Sequence, residues 1–549
     1  MVEPDRSGYH LHVKKTSLID FDALLALETS PESKQRCANA LRFVRDPKTY
    51  ASIDVKAPRP HIPYTAIPSK DVAKLLEFGV IEACERSSCK GAVNLFRQPE
   101  DAKQRFRPIR ETVTINDVLR DVMRDMRMST KRDVLNIVTK GTHCIAFDAA
   151  AYFDQMELHP EIRNYMCFTK GKKCYRVTRL PMGQRQAVEA AHTTMQLLSD
   201  WPTRWCYTSE IIDNVIFVGS ENACLRDGMI FADRCRKARC TLNEDTSSEE
   251  AIKKLVTQVI DWNGVHIDFH KKRVSLTGKV LEKIRLSWSL RERWTNRSFA
   301  AHMGLLFYSV GLVAGNPGDY IRALKAFAVV SSNAAFIEDH AEQKRFWDNP
   351  LVEISTPALT DLGAWTEQAL KNVPVRLSKD AQKTRPDFLV AVDSCSTGFG
   401  YLAVNPETGE ARFHGQRWPA DFAKDNRSLL HRSVFTEPHG VVMAMCHLLQ
   451  KKEQHQRIHI WSDNMTTVSV GNRGYSTRCD SANDCLQRLR ALFHPESFSF
   501  SFSHIAGALN EVADAASRSR AVSFEMVNRG RQHLLKQYYE GEAARVAAI

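Results

Sequence analysis

Six carboxylates stand where their neighbours would let them do chemistry. Asp213 lies between two apolar runs in Glu210-Ile-Ile-Asp213-Asn214-Val-Ile-Phe-Val218. That pattern predicts a β-hairpin with the Asp-Asn pair at its tip. Asp148 closes another apolar run, Cys144-Ile-Ala-Phe-Asp148. Two carboxylates on neighbouring strands could hold a pair of Mg²⁺ ions for phosphoryl transfer. Asp393, Glu437, Asp463 and Asp514 fall at expected strand ends or on helices able to face them. Four acids drawn together repel one another unless divalent cations neutralise them. Two such cations can activate a water and stabilise the leaving oxygen of a phosphodiester. Taken singly, each acid also reads as a turn residue, a helix N-cap or a surface carboxylate.

The elements around these acids follow from periodicity and punctuation. A proline-punctuated stretch begins at Pro58. After it come a helix over residues 69–79 and strands over 80–83 and 92–96. A polar loop from Arg97 to Arg107 leads into a further strand, and strand, basic loop and strand read as a hairpin whose tip could reach a triphosphate. Arg97, Lys103, Arg105 and Arg107 could offer charge-assisted bonds to a triphosphate, or form a solvated basic loop. A helix over 117–132 precedes the Asp148 strand. Leu180-Pro-Met-Gly183 opens an amphipathic helix to about Leu198, and Gly183 would let backbone approach a base or phosphate closely. A helix to about Arg239 follows the Asp213 hairpin, then the Leu242-Asn243 turn and a hairpin over 261–276. Residues 280–385 carry helical patterns, and Arg322 and Lys325 could track a duplex or simply face solvent. From Asp387 the order becomes β-β-β-α-β-α-β-α. A helical patch near 20–27 is all that residues 1–55 offer, and a basic, helix-prone tail begins at Ala521.

At 549 residues the chain exceeds one compact core, so several domains are expected. No apolar run approaches the roughly 18 residues that cross a bilayer, which argues against a membrane partner. The N-terminus lacks a signal-peptide pattern. A net charge of +12 favours a polyanionic partner, most simply nucleic acid. The 14 cysteines are scattered and form no Cys-x-x-Cys pair. Cys84 and Cys89 have no matching second pair in sequence. The cysteines read as reduced thiols of an intracellular protein.

The order and spacing of these motifs resemble the reverse transcriptases of retroelements. The resemblance rests on Gly79-Val-Ile-Glu, on Arg107-Pro-Ile through Asn116, and on Asp148 with Phe153 and Gln155. It continues through Leu180–Ala187, Asp213-Asn214, Leu242-Asn243 and Gly264-Val-His-Ile-Asp268. The family usually has two adjacent acids at the hairpin tip, preceded by Tyr. Here Asn214 replaces the second acid and Ile211 stands where the Tyr would be. The segment from Asp387 resembles ribonuclease H. Asp393 with Gly398 and Gly400, Glu437, Ser462-Asp463-Asn464, and Asn510-x-x-x-Asp514-x-x-Ser517-Arg518 carry that likeness.

The resemblance implies an α/β and α+β multidomain chain. A right-hand polymerase of fingers, palm and thumb would be followed by a ribonuclease H-like mixed sheet with helices. The expected divisions are an arm (1–55), fingers and palm (56–280), thumb and connection (281–385), ribonuclease H (386–520) and a tail (521–549). Implied partners are an RNA template, a DNA primer, an RNA–DNA hybrid and deoxynucleoside triphosphates. Two Mg²⁺ per active site are implied, with Mn²⁺ as a substitute. Asp148 and Asp213 would be metal ligands in the first site, and Asp393, Glu437, Asp463 and Asp514 in the second. Arg97, Arg105, Arg107, Phe153, Gly183 and Asn214 would line the nucleotide site, with Phe153 excluding a 2′-hydroxyl. Because of Asn214, the alternative is an active ribonuclease H carrying a non-catalytic, nucleic-acid-binding polymerase-like part. Arg107-Pro-Ile and Tyr152-Phe153 are similar to tyrosine-recombinase retrotransposons of the DIRS and VIPER type, with gypsy-type elements as close rivals.

Overall fold

The computed structural model describes residues 5–50, 61–112, 115–116, 119, 126, 128–313, 315–351, 354–377, 385–449, 456–493 and 498–547. The chain divides into two compact units, Met1–Ile260 with Ile267–Lys272, and Asp261–His266 with Arg273–Ile549. It is a mixed α/β multidomain protein. Among the described residues, no helix is long and apolar enough to cross a membrane.

The first unit contains three small sheets over one apolar core. Strands β1 (His10–Leu11), β3 (Asn94–Glu100) and β4 (Arg105–Glu111) form one, in the order β1-β4-β3. Strands β2 (Ile81–Cys84), β6 (Cys167–Lys170) and β7 (Lys173–Val177) form another, with β7 central. The third holds β5 (His143–Asp148), β8 (Tyr207–Ile211) and β9 (Asn214–Gly219), with β9 central. Behind β5 and β9 packs the helix Glu221–Lys237. The helix Ala187–Leu198 is buried around almost its whole circumference rather than on one face.

Several sequence expectations change here. The expected hairpin forms, but its connecting segment is confined to residues 101–104. Arg97 lies within β3, and Arg105 and Arg107 lie within β4, in a ladder running from Asn94↔Glu111 to Glu100↔Arg105. Glu100 pairs with both Arg105 and Arg107, at 2.5 and 2.6 Å. Cross-strand charge pairing replaces the apolar alternation that would have announced these strands. The helix expected over 117–132 falls mostly outside the described residues. A helix is described at Lys131–Val138, closed by a Thr130–Asp133 capping box. Residues 5–50 are integrated into the unit. The helix Pro31–Arg45 packs on Ala187–Leu198, and Leu24, Leu41, Phe43 and Tyr50 join the core.

At the edge of the first unit, β10 (Val259–Trp262) and β11 (Val265–Asp268) form a hairpin. Its turn residues Asn263 and Gly264 both have positive φ, 49° and 83°, as a type I′ turn requires. In the second unit β12 (Arg273–Leu276) pairs antiparallel with β13 (Val375–Arg376). Between them lie the helices Gly278–Ser289, Asn296–Ser309, Ile321–Ala335, His340–Asp348 and Thr356–Lys371. Arg322 and Lys325 are held in ion pairs, with Asp361 at 3.2 Å and Asp480 at 2.6 Å.

The remainder is a five-stranded sheet, in the order β16-β15-β14-β17-β18. Its strands are β14 (Phe388–Ser394), β15 (Gly398–Val404), β16 (Ala411–Arg417), β17 (Gln456–Ser462) and β18 (Phe498–His504). The first three run as an antiparallel meander, and β17 and β18 add parallel to β14. One face packs on the helices Ser433–Leu448 and Asp480–Leu492. The segment from Ala521, unassigned from sequence, forms the helix Phe524–Ala547 and covers the other face. Its Leu534 and Tyr538 pack with Leu389, Leu402 and Trp461.

Candidate active sites

In the first unit, the ladder places Asp148 at the end of β5, opposite Asn214 on β9. The hairpin tip is Ile212-Asp213, not Asp213-Asn214, because Ile211 and Asn214 already pair. Ile212 takes a φ of 57°, which a β-branched residue adopts only under strain. Its amide N–H donates to His192 Nδ1 at 3.3 Å. The Ala149 N–H donates to the Asp213 carbonyl at 2.9 Å, which ties the two acid-bearing segments together.

A third carboxylate joins them. Glu244 Oε2 accepts from the Asp148 backbone N–H at 3.0 Å. All three groups are held above the ordinary carboxylate range, chiefly by burial. The charge of Asp148 adds to the effect on Asp213 and on Glu244. Opposing this, Asn243 Nδ2 donates to Asp148 Oδ2 at 2.8 Å, and Lys14 Nζ donates to Asn243 Oδ1 at 2.7 Å. Asn214 Nδ2 donates to Asp213 Oδ1 at 2.9 Å. Lys14 and Lys103 exert a favourable field on Asp148, as Arg107 does on Asp213. A set of half-compensated carboxylates fits a divalent cation.

The other expected nucleotide-site residues divide. Arg97 stacks over Phe106 at 4.1 Å and pairs with Asp71 at 3.2 Å, and Arg105 pairs with Glu100, so both are engaged on the hairpin. Arg107 also pairs with Glu100, yet its charge reaches Asp213. Phe153 is 7% exposed and belongs to the core. A Cβ on Gly183 would lie 2.9 Å from the Arg110 carbonyl oxygen, so the close backbone approach seen here is to β4. Gln155 staples the Asp148 turn. Its Nε2 donates to the carbonyls of Ala150 and Thr241, and its Oε1 accepts from the Thr241 N–H. Sequence reading missed Lys14 and Glu244. The only signal for Glu244 was its place directly after the Leu242-Asn243 turn.

The second site is tighter. Asp393 ends β14, Glu437 lies in the helix Ser433–Leu448, and Asp463 directly follows β17. Their carboxylate oxygens all lie within 4.8 Å of one another. Glu437 and Asp393 are only 3% and 5% exposed. Burial, then the charges of Asp393 and Asp463, push the Glu437 carboxyl up to about 9. Burial also raises Asp393, against the hydrogen bond that Ser517 Oγ donates to it at 2.6 Å. Glu437 accepts from the Ser394 N–H at 3.2 Å and from Ser462 Oγ at 3.4 Å. These few donors do not offset three carboxylates, and the donor set fits divalent cations.

Asp514 lies near enough to raise Asp393 but is not one of the tight three. It pairs with Arg518 at 2.6 Å and with Arg520 at 3.7 Å. Its helix, Glu511–Ser517, is seated on two glycines that face each other across β15 and β16, Gly400 and Gly415. A Cβ there would meet backbone atoms of the helix at 2.5 and 2.2 Å. Asn510 Nδ2 donates to the Val392 carbonyl at 2.9 Å, locking the helix start beside Asp393.

No protein-family model matches the sequence, and no curated protein matches it. Among solved structures the chain is similar to a foamy viral protease-reverse transcriptase in complex with double-stranded DNA. The identity is 13% and the TM-score 0.47, over 90% of this chain and 83% of that one. It is also similar to the same kind of protein in complex with an RNA/DNA hybrid, at 14% identity and TM-score 0.46, over 90% of this chain and 64% of that one. A likeness this distant concerns fold alone, and the chemistry has to be read from the side chains.

Proposed function

We propose that this chain is an RNA-directed DNA polymerase with ribonuclease H activity, copying retroelement RNA and degrading the RNA strand of the hybrid. The observation that carries the proposal is the presence in one chain of two separate carboxylate centres. One is built on paired strands (Asp148, Asp213, Glu244), and the other is a three-acid cluster with two of its members buried (Asp393, Glu437, Asp463). Mg²⁺, or Mn²⁺ in its place, would supply activation of the attacking hydroxyl and neutralisation of developing phosphate charge when bound.

In the polymerase site Asp148 and Asp213 hold the cations. Lys103 and Arg107 bind the triphosphate, Arg107 exchanging Glu100 for phosphate oxygens. Phe153, whose ring otherwise belongs to the core, turns its small exposed edge toward the sugar and excludes a 2′-hydroxyl, and the Gly183 loop, seated on β4, borders the nascent base pair. In the nuclease site Asp393, Glu437 and Asp463 hold the cations with Asp514 at the rim. Ser517 orients Asp393. Selection of the RNA strand rests on its 2′-hydroxyls and on the shape of the hybrid. Assignment of the source element to the DIRS/VIPER class rather than the gypsy class rests on Arg107-Pro-Ile and Tyr152-Phe153. A recombinase rather than an integrase reading frame beside this one would favour it.

The second reading, an active nuclease with a non-catalytic polymerase-like part, is favoured by one observation. Asn214 presents its amide N–H to Asp213, where the family has a further acid. Mg²⁺-dependent primer extension on an RNA template separates the two readings. Extension by the wild type that Asp213→Ala abolishes supports a live polymerase. Silence in the wild type and in Asn214→Asp, with hybrid cleavage intact, supports the second reading.

A further inference from the structure

The β2-β7-β6 sheet gathers four cysteines that lie far apart in sequence. Cys84 ends β2, and Cys89 follows it by way of a short 3₁₀ turn, Arg86–Ser88. Cys167 opens β6, and Cys174 lies in β7, directly opposite Cys84 in the ladder. The sulfurs of Cys84, Cys89 and Cys167 all lie within 4.8 Å of one another. Cys84 Sγ and Cys89 Sγ are 3.9 Å apart. Sulfurs at about 2.3 Å around a tetrahedral zinc are separated by about 3.8 Å, a spacing the three approach. Cys174, opposite Cys84 in the ladder, lies outside that tight group and would turn in as the fourth.

The backbone is built to bring the two pairs together. Lys90 and Gly91 N–H both donate to the Asn164 carbonyl, at 2.8 and 3.1 Å. Cys167 N–H donates to the Gly91 carbonyl at 3.3 Å. A Cβ on Gly91 would lie 2.4 Å from the Tyr165 carbonyl oxygen, so only glycine permits this approach. Arg86 lies beside Cys174 and supplies positive charge to a thiolate cluster.

We propose that Cys84, Cys89, Cys167 and Cys174 form a structural zinc site that clamps the β2–β3 connection to the β6–β7 hairpin. Each thiol gives its proton to solvent as its sulfur–zinc bond forms, so one Zn²⁺ replaces four protons with no change of oxidation state. The hydrogen bond that the Cys167 thiol makes to the Asn164 carbonyl at 3.2 Å is surrendered in that exchange. Such a site is closed, with no open coordination position, and its contribution is to folding rather than to catalysis.

The test uses the full chain purified under reducing conditions. Metal analysis should give about one zinc per chain, in line with a closed four-thiolate site. Cys89→Ser and Cys167→Ser should lose it, while Asp393→Asn and Cys206→Ser keep it. Co²⁺ added to the zinc-stripped wild type should produce the d–d bands of a tetrahedral site and a near-ultraviolet thiolate charge-transfer band. Cys174→Ser should weaken that band by about a quarter, one thiolate in four. A chelator should lower the melting temperature of the wild type but not that of Cys89→Ser. A folded wild type that carries no zinc and gives no thiolate–Co²⁺ band overturns the proposal. So does zinc retained in both serine variants, or a Cys84–Cys89 disulfide in place of metal. The wild-type cobalt titration decides the matter even where a variant does not fold.

Discussion

The two acid centres answer the same electrostatic problem differently. Around Glu437 the protein buries two carboxylates beside a third, more exposed one and supplies little to offset them, two serine hydroxyls, one backbone N–H and the charge of Arg518. Around Asp148 and Asp213 it supplies two asparagine amides, two lysines and an arginine. The first centre leaves its charge largely uncompensated, as a proposed cation site would. The second is already partly completed by protein, which is how it can manage with Asn214 in place of an acid. An asparagine there turns a carboxylate–carboxylate repulsion into a 2.9 Å hydrogen bond. Dependence on metal should therefore be steeper for the proposed nuclease than for the proposed polymerase.

That contrast can be broken most decisively at Asp463. Asp463→Asn should lower hybrid cleavage by at least about 100-fold, since second-shell changes alone cost 10–100-fold. Primer extension should be unchanged, and loss of both activities would refute two independent centres. Next comes Asn243→Ala, which removes the amide joining Lys14 to Asp148. Primer extension should fall by about 10-fold and require more Mg²⁺, with cleavage untouched. An unchanged Mg²⁺ requirement would show that protein donors do not substitute for metal there.

Gly400→Ala should destabilise the nuclease sheet by about 1–3 kcal/mol, as overpacking does. It should also displace Asp514, read as a lower melting temperature together with weaker cleavage. A further effect is on pH dependence. The Glu437 carboxyl is pushed up from 4.5 to about 9 on folding, so without metal the folded state holds its proton more tightly than the unfolded. Its contribution to stability is complete below about pH 4.5 and is lost as pH rises toward 9. Glu437→Gln should flatten that loss, read as a melting temperature that falls less between pH 5 and pH 8 in metal-free buffer. A wild type whose melting temperature does not fall over that interval would mean the acid cluster is not under strain.

How much of this was legible in the sequence depends on what each element pairs with. The run leading to Asp393 announces a strand because it is buried on both faces, and the runs leading to Asp148 and Asp463 because their apolar residues are buried. The β3–β4 hairpin was legible, but its strands run closer to the tip than expected because Glu100, Arg105 and Arg107 satisfy one another across it, and charge pairs look like a loop in the sequence. Glu244 could not be foreseen, since only the bridge between Ala149 and Leu242 and the Asn243 N–H to the Asp148 carbonyl carry it to the site. The cysteines read as scattered because the two pairs meet only through the β2–β7 ladder. The helix from Phe524 was legible as a helix, but its seat on the sheet was not. Leu534 and Tyr538 are too few to declare a buried face.

The paired glycines under the Asp514 helix carry a consequence for inheritance. Every missense change in either codon adds at least a Cβ, and neither Gly400 nor Gly415 has room for one. No conservative replacement exists at these two positions, in contrast to the apolar positions of the same strands, where one aliphatic residue can stand for another. In a lineage of copies of this gene, variation should therefore drain away first at Gly400 and Gly415. A copy that has lost either one identifies itself as a relic before any of its acids has changed.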